Sequence, residues 1–141
     1  MLTATQKTLV QESFATIAPI ADDAAALFYR RLFEIDPSLR HMFRGDMAEQ
    51  RRKLMQMLTA AVKGLDRLEQ LVPVVEDLGR RHATYGVEDR HYDTVGSALL
   101  WTLEKGLGDA FTPETKQAWT TVYGLLATTM KTAAREALAA A

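Results

Sequence analysis

Val74-Val75-Glu76-Asp77-Leu78-Gly79-Arg80-Arg81-His82 ends on one of the chain's 3 histidines and has helical spacing throughout. Counting back from His82 puts Leu78 at i−4, Val75 at i−7 and Val74 at i−8, all apolar, so the spacing predicts a helix whose imidazole faces an apolar surface. A neutral imidazole in that setting is either a hydrogen-bonded core residue or a ligand for a buried metal or cofactor. The choice depends on what the rest of the sequence sets opposite it.

Outward from this stretch the chain reads as helix in both directions. Periodicity predicts helices over about 4–18, 20–35, 37–43, 47–65, 67–84, 89–107 and 113–138, and no run alternates at period two for long enough to make a strand. The fold class expected is all-α. Helix starts are marked by Thr3 with Gln6, Asp46 with Glu49 and Asp66 with Glu69, each a cap acceptor three residues before an acid or amide. Asp36-Pro37 and Thr112-Pro113 add two starts with proline at the first helical position, where its missing N–H costs nothing. Gly45, Gly64, Gly86 and Gly108 fall near segment ends. Pro19 separates the first two helices, and Pro73 is expected to bend or restart the fifth. The short third helix argues against an up-and-down four-helix bundle, whose helices are of similar length.

The 141 residues fit a single domain, 1–141, with an Ala-rich end over 133–141 expected to fray. Hydrophobic residues at 48%, charged residues at 25% and a net charge of −1 describe a soluble globular chain with no field to draw nucleic acid or anionic lipid. The absence of cysteine excludes disulfides, thiolate metal sites, cysteine nucleophiles and covalent haem attachment through Cys-x-x-Cys-His. A cytoplasmic location is the simplest expectation. The first residues lack a basic-then-apolar signal sequence, and no apolar run is long enough to span a bilayer, so neither export nor membrane insertion is expected.

An all-α chain with one inward histidine suggests haem held by a single protein ligand, which requires a second helix as the opposite wall. The 47–65 helix offers one. Gln50, Leu54, Met57, Leu58 and Ala61 fall at i, i+4, i+7, i+8 and i+11, an apolar stripe with an amide in its first turn. Arg51, Arg52, Lys53 and Gln56 occupy its other faces.

Six pieces then occur in a specific order: Leu27-Phe28-Tyr29-Arg30-Arg31-Leu32-Phe33 with Pro37; His41-Met42-Phe43; Gln50-x-x-Lys53-Leu54; Leu78-Gly79-Arg80-Arg81-His82-x-x-Tyr85-Gly86-Val87; His91-Tyr92-x-x-Val95-Gly96-x-x-Leu99-Leu100; and Ala118-Trp119-x-x-Val122-Tyr123-Gly124. With a spacing of 32 residues from Gln50 to His82, the chain resembles the globin family over about residues 5–130. The likeness is to bacterial single-domain haemoglobins related to flavohaemoglobin globin domains and to neuroglobin-like bacterial globins.

That resemblance implies a globin fold, about seven to eight helices packed three over three around a non-covalent haem b. It implies that His82 is the proximal iron ligand, its other nitrogen donating to the Leu78 carbonyl. Tyr92 matches a tyrosine that, with a carboxylate, tightens the proximal histidine in flavohaemoglobins; Glu136 is the only acid beyond Trp119 and lies too near the C-terminus to match that carboxylate. Tyr29, Gln50 and Leu54 match the residues lining the ligand pocket, and Phe43 the phenylalanine that wedges the haem. Leu58, Leu78 and Val87 are implied haem contacts, and Lys53, Arg81 and Arg44 candidates for the propionates. His41 and His91 are expected to face solvent or to cap local structure. With glutamine where many globins carry a distal histidine, the ferrous iron is expected to be five-coordinate, or weakly bound by Tyr29, Gln50 or water.

The expected function is reversible binding of O2, and of CO and NO in the same pocket, with high O2 affinity from Tyr29 and Gln50. One alternative is NO dioxygenation with an external reductase, since no Gly-rich phosphate loop for a flavin or nicotinamide is present. Another is haem-based gas sensing. No residue is assigned a firm catalytic role, and a monomer or weak homodimer is expected. Glu88-x-x-His91 forms a single Glu-x-x-His, whereas a di-iron bundle needs two.

Overall fold

Capping chemistry starts most helices where the sequence puts it. The computed structural model describes residues 2–43 and 45–140. In it α1 (Ala4–Ile17), α2 (Ala21–Ile35), α3 (Met47–Gly64), α4 (Leu68–Thr84), α5 (Asp89–Leu107) and α6 (Pro113–Ala140) follow one another, with short 3-10 turns at Ala18–Ile20, Pro37–Met42 and Gly108–Ala110. No strand occurs among the described residues. Thr3 and Gln6 form a reciprocal capping box on α1. Asp46 accepts the Ala48 N–H at 2.9 Å, and Thr112 the Thr115 N–H at 3.1 Å.

Three expectations are corrected. The Asp66/Glu69 box does not form: α4 begins after Arg67 without a side-chain cap. Asp66 is drawn to α1 instead, pairing with Lys7 Nζ at 3.3 Å and accepting from Gln11 Nε2 at 3.2 Å. Pro73 does not restart its helix, since α4 runs unbroken through it. Only the Glu69 carbonyl loses an intrahelical donor there, and both residues are exposed, where water can replace it. The 37–43 segment is 3-10 rather than α. The Ala-rich end, expected as helix, continues α6 to Ala140, with Ala133 buried and Arg135 paired with Asp89 on α5.

The helices stack as two layers of three, α1, α3 and α4 on α2, α5 and α6. The main seams join α4 to α6, α2 to α5, α1 to α6 and α2 to α3. Trp119, Leu32 and Val10 are fully buried at the centre, and Trp119 Nε1 donates to Ser13 Oγ at 2.8 Å. An apolar cavity of about 20 Å³ remains among Phe28, Leu54, Leu58, Leu99 and Trp119.

Two features of this packing position His82. A Cβ built on Gly79 would lie 2.4 Å from the Met130 carbonyl oxygen, so α4 and α6 approach backbone to backbone one turn before His82. On its other side α4 meets α3 at few positions. The seam between these two helices is therefore sparse, and Leu54, Met57 and Leu58 on α3 and Leu78 and His82 on α4 stay only half-buried.

Candidate functional site

On α4, His82 Nδ1 lies 2.8 Å from the Leu78 carbonyl oxygen. A carbonyl can only accept, so Nδ1 carries the proton and Nε2 keeps a free lone pair, the tautomer a metal ligand needs. Burial is the main cause holding the imidazole below its ordinary pKa; the Leu78 carbonyl opposes this, and the Arg81 guanidinium adds to it. The ring is therefore neutral at pH 7. Leu78 and Val87 flank it, half-buried. The Val87 N–H donates to the His82 carbonyl at 3.1 Å, which fixes the turn after α4, and Gly86 makes that turn with φ +85°.

Val74 does not share this face, since it is 47% exposed while Val75 is buried. Eight residues at about 100° each leave position i−8 roughly 80° from His82, against about 20° for i−7.

Between α3 and α2, Gln50 Nε2 donates to the Tyr29 hydroxyl oxygen at 3.4 Å, a long bond. The Tyr29 O–H has no acceptor among the described residues, so its proton is available to a ligand. Burial raises the phenol's pKa, more than the Gln50 hydrogen bond lowers it, and Tyr29 remains a neutral donor. Three phenylalanines hold the ring: Phe28 and Phe43 meet it edge-on at 5.1 and 5.3 Å between centroids, and Phe33 lies at 6.2 Å. The sequence reading did not single out Phe28 or Phe33 for this, although their positions at i−1 and i+4 from Tyr29 carry the signal. Leu54 and Leu58 are half-buried and packed against the core, whereas Met57 is half-buried outside it.

The outlying candidates separate. Lys53 is exposed and without an ion pair among the described residues. Arg81 is engaged by Asp77 at 3.3 Å along the exposed face of α4. Arg44 lies outside the described residues. His41 is exposed, but His91 is 6% exposed and caps α5, its Nδ1 accepting the Glu88 N–H at 2.8 Å. Of the two roles expected for these histidines, His91 takes the cap.

Tyr92 is buried beside Leu71, Val75, Leu78 and Val87, and its backbone carbonyl accepts from the Tyr123 hydroxyl at 2.6 Å. No carboxylate hydrogen-bonds to its phenol among the described residues. The Lys131 ammonium instead stands 5.5 Å from the ring centroid. Lys131 was not anticipated, because contact across α5 and α6 depends on a register that local sequence does not display.

No group of three or more His, Cys, Asp or Glu occurs among the described residues that could hold a metal ion by protein donors alone. The chain thus offers one free imidazole nitrogen on α4, half-buried apolar side chains on α3 and α4, and two neutral donors on α2 and α3. It suits a metal carried within a flat, largely apolar macrocycle.

A family model described as Globin matches residues 26–130. A Flavohemoprotein of Bacillus subtilis (strain 168) is 37% identical over 103 residues, covering 71% of this chain and 26% of that one. A Neuroglobin of Danio rerio is 32% identical over 138 residues, covering 88% and 87%. The chain thus spans about a quarter of that flavohemoprotein and most of that neuroglobin. Among solved structures, a hexacoordinated heme protein from an anhydrobiotic tardigrade superposes with a TM-score of 0.86 at 19% identity, covering 95% of this chain and 96% of that one. At that identity the likeness is one of fold.

Proposed function

This chain belongs to the globin family, and from that premise we propose that it holds haem b non-covalently between α3 and α4 and binds O2 reversibly, with CO and NO as competing ligands. The observation that carries the reading is the 2.8 Å contact between His82 Nδ1 and the Leu78 carbonyl oxygen. The Nδ1–H donates a hydrogen bond to that carbonyl, which leaves Nε2 free for iron.

Ferrous haem, when bound, supplies the open coordination position that takes a diatomic gas. The protein supplies the surroundings. His82 is the proximal ligand, held from behind by Leu78; Phe43, Leu54, Leu58, Leu78, Val87 and Tyr92 provide apolar contact, and exposed Lys53 is the candidate partner for a propionate. Tyr29 and Gln50 donate towards the partial negative charge that O2 draws from ferrous iron. In a pocket sheltered by aromatic rings each such bond contributes about 1–3 kcal/mol, roughly tenfold or more in affinity. High O2 affinity and slow release follow. With Gln50 at the wall opposite His82, no second imidazole competes for the iron, although the tardigrade structure is hexacoordinated.

Absorption spectroscopy tests the proposal. Purified protein supplied with haem should show a Soret band, and His82→Ala should lose or greatly weaken it. A Soret band that survives unchanged in the variant would return His82 to the role of a core histidine.

Similarity to a flavohemoprotein supports a second reading, oxidation of NO by O2 to nitrate with an electron from a separate reductase. The two readings part on the haem's fate after NO is added to the O2-loaded protein in cell extract. Rapid return to the ferrous form supports turnover, and lasting ferric haem supports a carrier or a gas sensor.

A further inference from the structure

Tyr85 is 65% exposed, an unusual setting for a ring whose backbone is firmly held. It is the C-cap of α4, its N–H bonded to the His82 carbonyl at 3.1 Å, and the next two N–H groups bond back to Ala83 and His82, both at 3.1 Å. The side chain hangs in water from this pinned turn with its centroid 6.1 Å from that of His82 and the two planes at 53°. Its hydroxyl makes no hydrogen bond among the described residues. The other tyrosines are occupied: Tyr29 and Tyr92 are buried, and half-buried Tyr123 donates to the Tyr92 carbonyl.

We infer that Tyr85 is a further cofactor contact, its ring covering the edge of the prosthetic group on the His82 side. The inference rests on the haem reading above. A macrocycle bound at His82 Nε2 is far broader than an imidazole, and Tyr85 is the large apolar side chain standing beside that imidazole with its surface still exposed. Covering the ring removes apolar surface from water at little conformational cost, because the turn that carries it is already fixed by three backbone hydrogen bonds. The contact is made by the ring, so the hydroxyl is dispensable.

The state of the four tyrosines makes the test selective. N-acetylimidazole acylates exposed phenols, so haem-free protein should be modified chiefly at Tyr85, as located by peptide mass spectrometry. Haem-loaded protein, its Soret band verified first, should be protected there. In parallel, Tyr85→Ala should release haem to a scavenging acceptor protein at least about fivefold faster than the parent, and Tyr85→Phe at the parental rate. A Soret band with undiminished acylation of Tyr85, or parental release from Tyr85→Ala, overturns this inference alone. Failure to take up haem overturns both it and the reading beneath it.

Discussion

Tyr29 has a surplus proton because Gln50 supplies the only hydrogen bond its oxygen takes part in among the described residues. Tyr29→Phe should therefore speed O2 release by about tenfold or more in stopped-flow measurements. An unchanged rate would assign the bond to Gln50 or to water. Asp36 answers to pH instead. Its carboxylate accepts from the Ser38 hydroxyl at 2.6 Å and the Ser38 N–H at 3.1 Å, with Arg90 at 3.8 Å, and the Ser38 bonds chiefly hold its pKa below the usual range. A carboxyl depressed in the folded state stabilises the fold above its ordinary pKa, and the benefit disappears as pH falls through the lower folded value. Urea midpoints should drop between about pH 5 and pH 3 less steeply in Asp36→Asn, which keeps the cap acceptor without the charge. Identical slopes would remove Asp36 from the acid response. Both residues were legible in sequence, Asp36 from the proline after it and Tyr29 from its motif. Lys131 over Tyr92 was not, since that pairing arises only once two helices are in register.

Helix identity and most helix ends follow from periodicity and caps, which are local. What local sequence hides is which backbone lies against which. Gly79 reads as an unfavourable residue inside a helix, yet it permits the close crossing of α4 and α6. Gly79→Ala adds about 1 kcal/mol of helix propensity and sets a methyl carbon against the Met130 backbone, which cannot turn aside as a side chain could. We expect a net loss of about 2 kcal/mol in denaturant unfolding, together with faster haem loss because the displaced helix carries His82. A stabilised variant would show that the crossing has room to relax. Asp66 teaches the same lesson in reverse. Its spacing to Glu69 satisfies a capping rule, but Lys7 and Gln11 on α1 claim the carboxylate.

At the scale of the whole molecule, the two-layer stacking leaves a small apolar void beside Trp119. The void has a mechanical consequence. A space of about 20 Å³ that closes when the chain unfolds corresponds to about 12 mL/mol of lost volume, a fraction of the roughly 20–100 mL/mol that folded proteins give up on unfolding. Hydrostatic pressure should therefore favour unfolding, and enlarging Ala25, which lines the space, to valine should reduce the measured volume change. An equal volume change in the variant would mean that the compressible space lies elsewhere.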